Sequence, residues 1–284
     1  MKEFRDKVAV ITGGASGLGL AMAKRFAAEG MKLVLADIEE DALRRVEQDF
    51  RKAKVPVIGI WTDVSRAQDI ERLAEKALAT YGAVHVLCNN AGVAPNGAVW
   101  ENTLADWEWV MGVNVWGVIH GVRTFLPIML RQDTECHVVN TAWVAGLLSV
   151  PNMGSYCVSK HSVVTLTECL FHDLQQRDAK IGVSVLCPAY VPTGIADSER
   201  NRPALLRNAQ RNKTAEEIAS EESMRHAVSS GRINADQVAQ MVFDAMQENR
   251  FYVLTHPKIK GAIRTRMEDI LLERQPTDTS KPKG

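Results

Sequence analysis

Lys7-Val8-Ala9-Val10-Ile11-Thr12 runs straight into Gly13-Gly14-Ala15-Ser16-Gly17-Leu18-Gly19. The unbroken apolar run reads as a strand buried on both faces. The turn after it opens a helical stretch from Gly17 to Glu29. Three glycines in a loop are a weak signal alone, but strand, tight turn and helix in this order make a dinucleotide-binding unit. Gly13 permits the turn, Gly17 lets a pyrophosphate approach the backbone, and Gly19 lets helix and strand pack closely. The exposed N–H groups and the positive helix end favour phosphate. Gly13, Ser16, Gly17, Leu18 and Gly19 are therefore expected cofactor contacts.

The same alternation continues outward. Apolar runs at Lys32-Ala36, Val55-Ile60, Val84-Cys88, His137-Thr141, Gly182-Cys187 and Phe251-Leu254 read as further strands. Helical stretches lie at Glu40-Arg51, Ala67-Tyr81, Leu104-Arg131, Ser155-Gln176 and Asp236-Gln247. This βαβ rhythm predicts an α/β, Rossmann-type doubly wound fold: a mostly parallel, seven-stranded sheet with helices on both faces. No repeat or Pro/Gly linker divides the chain, so residues 1–284 read as a single catalytic domain. A polar, helical insertion over residues 193–232 follows the sixth strand, where open α/β sheets place ligands, and reads as a substrate lid. The tail 277–284 reads as disordered.

Asp37 follows the second run. A carboxylate there accepts hydrogen bonds from both ribose hydroxyls and repels a 2′-phosphate. The residue after it is Ile38, and Ser16 is not basic either. NAD is expected rather than NADP. The alternative is that Asp37 only caps the helix near Glu39-Glu40.

With 284 residues and 46% hydrophobic content, the chain can bury a large core. Its 34 basic and 34 acidic residues cancel, which argues against nucleic-acid and anionic-membrane partners. Five scattered cysteines without a CxxC pair read as reduced thiols, and no metal is expected. No run of roughly 18 apolar residues suggests a membrane span, and the early glycine turn leaves no room for a cleaved signal. A cytoplasmic protein is the expectation.

Tyr156 and Lys160 are four residues apart on a helix and share one face. An ammonium there is expected to lower the phenol's pKa and make it a proton donor and acceptor. Alone, such a tyrosine reads as a packed aromatic.

Together with Asn89-Asn90-Ala91-Gly92 and the glycine turn, Tyr156-Cys157-Val158-Ser159-Lys160 resembles the short-chain dehydrogenase/reductase family over nearly the whole chain. The resemblance implies that Tyr156 is the acid/base and that Lys160 holds the nicotinamide ribose. It implies that Asp63 and Val64 contact adenine and that Asn90, Ala91 and Gly92 line the cofactor. Asn114 would join a proton relay with Lys160 through water. Pro188-Ala189-Tyr190-Val191-Pro192-Thr193 is similar to the family's segment around the nicotinamide, with Pro188 in it and Val191 and Thr193 near the carboxamide. Ala189 stands where the family has glycine. A homodimer or homotetramer is also implied, packed through Leu104-Arg131 and Ser155-Gln176. The readings from residues alone stay open: Asp63 as a cap after Ser65, Asn114 as a satisfied amide, and Val113-Val115-Val118 as an internal face.

One departure divides the claim. Asn140-Thr141-Ala142-Trp143-Val144-Ala145-Gly146 is similar to the family's asparagine-x-serine-serine-x-alanine-glycine pattern, but both serines are gone. The second, at Trp143, is the one that polarises the substrate oxygen. An indole N–H donates only and the ring is bulky. Thr141, Ser149 and Ser155 are the candidate surrogates, with Thr141 favoured because it is two residues away along a strand. Three readings follow: a working alcohol dehydrogenase with a reshaped pocket, an imine reductase, or an NAD-binding regulator or scaffold with little turnover. Trp143, Leu148, Met153 and Tyr190 are the expected pocket residues. They suit a small-molecule substrate, a bulky hydrophobic secondary alcohol or ketone rather than a sugar. Of the other tryptophans, Trp61, Trp107, Trp109 and Trp116 are expected in core or interface, and Trp100 near the substrate.

Overall fold

Every residue of β1 (Val8–Thr12) is buried, and its side chains alternate between two hydrophobic cores. Ala9 and Ile11 enter one, Val8 and Val10 the other. That two-residue period delivers a layer of helices to each face. The computed structural model describes residues 1–209 and 214–280.

The elements follow in strict alternation: α1 (Gly17–Ala28), β2 (Lys32–Asp37), α2 (Glu40–Lys52), β3 (Val57–Trp61), α3 (Ala67–Tyr81) and β4 (Val86–Asn89). After them come α4 (Leu104–Met111), α5 (Gly117–Gln132), β5 (Cys136–Thr141), α6 (Gly154–Gln176) and β6 (Ile181–Cys187). The described chain closes with α7 (Ala215–Ser229), α8 (Ala235–Glu248), β7 (Tyr252–Leu254) and α9 (Ile259–Leu271). The strands form one seven-stranded sheet in the order β3-β2-β1-β4-β5-β6-β7, parallel throughout. The crossover from β3 on one side of β1 to β4 on the other sets the switch point. The carboxyl ends of β1 and β4 part there and open a crevice. On one face Met22 and Phe26 of α1 pack with Val242 and Phe243 of α8. On the other Ile70 and Leu73 of α3 pack with Phe125 and Met129 of α5.

The structure departs from the sequence reading at several points. The stretch expected as one helix from Leu104 is interrupted by a π turn at Gly112–Trp116, which contains Asn114. By length and mean hydropathy Leu104–Gln132 would suffice to cross a membrane, although Asn114, His120 and Arg123 interrupt any unbroken apolar run in it. Its apolar residues pack inward instead: Val110, Val118, Phe125, Leu126 and Met129 are all buried. Val115 and Val118 are likewise buried within the subunit. The C-terminal segment forms α9, which the mixed basic and acidic composition concealed.

The tail begins with order. Thr277 N–H donates to Asp269 at 2.9 Å and Ser280 N–H to Asp278 at 3.0 Å. Residues 281–284 of the expected disordered tail, and 210–213 of the expected lid, lie outside the described residues. Within the insertion, tight helical turns at Gly194–Asn201 and Ala204–Leu206 precede α7. Arg202 anchors it, donating to Asp106 at 2.7 Å while its guanidinium lies 4.2 Å from the centre of the Trp109 ring.

Candidate active site

The glycine turn has the shape that its sequence required. Gly13 and Gly17 have φ values of +64° and +52°, a region that favours glycine. A Cβ on Gly13 would sit 3.0 Å from Ala91 Cα, and one on Gly19 would collide with the Gly13 carbonyl. Ser16 is the extended N-cap of α1, and its side chain caps no N–H. The first-turn amides therefore remain available to an anion. A cradle that any side chain would fill, opening on bare helix N–H groups, fits a dinucleotide pyrophosphate.

Asp37 closes β2 beside this turn. Its carboxylate accepts from Ala15 N–H at 2.9 Å and from Glu39 N–H at 3.0 Å. Burial nevertheless outweighs these bonds and raises its pKa. Asp37 thus ties the glycine turn to the start of α2, and each oxygen keeps a lone pair for a ribose hydroxyl. Asp63 accepts from the N–H and hydroxyl of Ser65 at 3.0 and 2.7 Å, but the helix that follows has Arg66 as its N-cap and no side-chain cap, so the capping alternative is not met. It also lines the groove with Val64.

Thr12 is a residue that the sequence reading did not single out. Its hydroxyl accepts from Asn90 N–H at 2.9 Å and Ala91 N–H at 3.1 Å, and Asn90 returns a side-chain bond to the Thr12 carbonyl at 3.1 Å. These bonds fix the ends of β1 and β4 on either side of the crevice. A polar residue closing a buried apolar strand was the available signal.

Asn114 is fully buried. It accepts from Val93 N–H at 2.9 Å and donates to the Val93 carbonyl at 2.9 Å and the Ser159 hydroxyl at 3.0 Å. The π turn frees the room that this amide needs inside a helix. A Cβ on Gly92 would lie 3.4 Å from both Asn114 Oδ1 and Lys160 Nζ. Asn114 and Lys160 therefore flank the same glycine.

Tyr156 and Lys160 lie on α6 as the spacing required, with Lys160 Nζ 5.6 Å from the centre of the Tyr156 ring. The expected direction of the phenol's pKa is not met. Burial raises it, with Cys157 and Tyr190 adding to the rise, and Lys160 Nζ donates instead to the Thr141 carbonyl at 3.0 Å. Burial also lowers Lys160, to about 8.

Trp143 ends the strand register. β5 stops at Thr141, and Trp143 has φ +75° and ψ 165°. Its indole N–H donates to the Ala189 carbonyl at 2.8 Å. The ring stands edge-on to Tyr156 and Tyr190, with centroids 5.4 and 5.2 Å away.

Of the three surrogate residues, Thr141 lines the groove, whereas Ser149 and Ser155 do not. Thr141 donates to Asn90 Oδ1 at 3.3 Å, Ser155 is buried without a partner among the described residues, and Ser149 is exposed. Thr141 would share a face with residue 143 only if strand geometry continued, and the Trp143 backbone abandons it.

One groove collects these residues. It is lined by Gly13, Ser16, Gly17, Leu18, Asp37, Asp63, Val64, Asn90, Ala91 and Gly92 at the nucleotide end. At the other end lie Trp143, Met153, Tyr156, Lys160, Pro188, Tyr190, Val191 and Thr193. Leu148 does not reach it: that side chain packs with Val144 and Ile259 of α9. Trp100 is 83% exposed and away from the lining, contrary to its expected place near the substrate, whereas Trp109 is buried with Val93 and Val110 as expected and also borders the groove. Trp61 and Trp116 are exposed.

Comparison with known proteins agrees with this geometry. The short chain dehydrogenase family model matches residues 7–204. A CLA biosynthesis dehydrogenase/reductase from Lactiplantibacillus plantarum is 34% identical over 97% of each chain. A C alpha-dehydrogenase from a Sphingobium strain is 30% identical, covering 100% of this chain and 91% of the relative. Among solved structures, a short chain dehydrogenase/reductase from Burkholderia phymatum in complex with NAD is 53% identical over 100% of both chains, with a TM-score of 0.96. The chain belongs to the short-chain dehydrogenase/reductase family, whose members are oxidoreductases.

Proposed function

We propose that this oxidoreductase moves a hydride between NAD and the carbinol carbon of a bulky, hydrophobic secondary alcohol or its ketone. The observation that carries the reading is convergence: the glycine cradle, Asp37 and the Tyr156–Lys160 pair line one groove. When bound, the nicotinamide supplies or takes up the hydride. Tyr156 exchanges the hydroxyl proton at its phenol oxygen, and Lys160 orients the nicotinamide ribose. Asp37 accepts the adenosine ribose hydroxyls, Asp63 and Val64 border the adenine, and Pro188, Val191 and Thr193 border the carboxamide. Asn114 acts as a positioning residue, holding the Val93 backbone beside Gly92 and Lys160. Trp109, Trp143, Met153 and Tyr190 make the substrate end aromatic and apolar, which suits a hydrophobic ketone better than a sugar.

The insertion from residue 193 acts as a lid, supported by Thr193, Ile195, Ser198 and Met224 among the groove's lining. Assembly into a dimer or tetramer is supported by the exposed Trp116 and Val158 near α5 and on α6. A cytoplasmic location is supported by five unpaired cysteines.

The test is NADH-linked turnover across a panel of hydrophobic alcohols and ketones, for the wild type and Tyr156→Phe. The buried phenol keeps its proton at neutral pH, which favours ketone reduction there. Alcohol oxidation needs the phenolate and gains as pH rises. Tyr156→Phe with wild-type rates in both directions would overturn the assignment.

A second reading rests on Trp143, whose donor is already spent on Ala189. In that reading the chain binds NAD with little turnover and acts as a regulator. Wild-type inactivity on alcohols, ketones and imines alike, with intact NADH binding, would favour it.

A further inference from the structure

At the nucleotide end of the groove, a carboxylate and a guanidinium meet from distant parts of the chain. Glu39 is two residues beyond Asp37, and Arg200 belongs to the segment that follows Thr193; both line the groove beside Asp37. One oxygen of Glu39, Oε1, accepts from Arg200 Nε at 3.0 Å, Arg200 Nη2 at 2.6 Å and Asn201 Nδ2 at 2.8 Å. Arg200 is also fixed from behind. Its Nη1 donates to the carbonyls of Gly194 at 3.0 Å and Asp197 at 2.9 Å. The guanidinium therefore needs Glu39 for its charge balance but not for its position.

Among the described lining residues, the cations are Arg200 and Lys160. Lys160 is at the nicotinamide end, tied to Thr141. Arg200 is thus the cation available to the adenosine ribose. With Asp37, Glu39 and Asp63 charged, that end of the groove carries three negative charges against one positive. Without Asp37 and Glu39, Arg200 would present its free Nε and Nη2 edge, the fork that matches a phosphate.

We propose that Glu39 is a second determinant of the choice between NAD and NADP, acting by neutralising an arginine that the lid segment delivers to the 2′ side of the adenosine ribose. The inference rests on the reading of this groove as a dinucleotide site. It differs from the effect of Asp37, which is direct repulsion and ribose hydrogen bonding. Glu39 discriminates by occupying a cation.

Binding of NADH and NADPH, followed by nicotinamide fluorescence without turnover, tests it in four proteins. These are the wild type, Asp37→Ser, Asp37→Ser/Glu39→Gln and the same double variant carrying Arg200→Ala. Asp37→Ser alone weakens NADH. Adding Glu39→Gln tightens NADPH by at least about tenfold, and Arg200→Ala removes that gain. The gain shrinks at high salt, since both groups are partly exposed, at 30% and 41%. NADH binding by each variant reports an intact groove. A Glu39→Gln gain below about tenfold, or a gain that survives Arg200→Ala, overturns the proposal. Failure of the wild type to bind either nucleotide would instead overturn the dinucleotide reading, and the inference with it.

Discussion

The indole N–H of Trp143 donates to the main-chain carbonyl of Ala189 at 2.8 Å, bridging the end of β5 to the segment after β6. That bond removes the one donor by which Trp143 could replace a serine hydroxyl at a substrate oxygen. The residue instead braces the Pro188–Thr193 segment while its ring walls Tyr156 and Tyr190.

Restoring the hydroxyl should therefore reveal how much carbonyl chemistry the site is missing. Trp143→Ser is expected to raise kcat for ketone reduction by roughly 10²–10³, the scale of one preorganised donor to an oxyanion. Trp143→Phe keeps a ring without the N–H and should give no such gain. Equal gains in the two variants would mean that the bulk of the indole, not the missing hydroxyl, limits the site.

The backbone at this position supplies a separate prediction. With φ +75° and ψ 165°, Trp143 occupies a region that is essentially reserved for glycine. Trp143→Gly and Trp143→Ala both lose the ring, so their difference isolates the backbone. Glycine should be more stable than alanine by about 1–3 kcal/mol, the reverse of its effect in a helix. Chemical denaturation with equal m-values checks it. Alanine matching glycine would show that the segment relaxes once the ring is gone.

The fold and the nucleotide end were legible because their signals are local. Buried strands write themselves as Val/Ile/Leu runs, and a glycine turn between strand and helix has few other uses. The ends of β3 and β4 slipped by a residue or two, since apolar runs do not mark where pairing stops. The substrate end was less legible because it depends on where distant segments meet. Leu148 is apolar like Met153, yet α9 covers one and leaves the other in the groove. Asn114 reads as an unfavourable helical residue until the π turn gives its amide a place. The Glu39–Arg200 pair, 161 residues apart, leaves no mark in the sequence at all.

Asn114 should matter to stability before it matters to rate. Its amide satisfies both polar groups of Val93 and binds Ser159, all in buried surroundings. Asn114→Ala strands these partners at a cost of about 2–4 kcal/mol. For a chain of this size each kcal/mol is worth about 2–4 °C, so Tm should fall by at least about 4 °C. NADH affinity measured well below the melting range should then weaken less than stability does. An unchanged Tm would mean that water or the backbone replaces the amide.

Lys160 ties stability to pH. Burial holds its folded pKa near 8, against an ordinary value of 10.5. Below about pH 8 the ammonium is charged in both folded and unfolded chains, and the folded protein bears the whole cost of burying it. Between about 8 and 10.5 the folded state releases its proton first, so unfolding takes up protons and stability rises with pH. Above that window both states are neutral and the penalty is gone. The full effect is about 3 kcal/mol. Lys160→Met removes the titration together with the bond to the Thr141 carbonyl, which is itself stronger from the ammonium than from the amine and is already part of the shift in the folded pKa. Only the pH-dependent part of the comparison reads the charge. The stability of Lys160→Met relative to the wild type should be greatest near neutral pH and decline as pH rises from about 8 to 10. A difference independent of pH would mean that Lys160 keeps an ordinary pKa and that water reaches its ammonium.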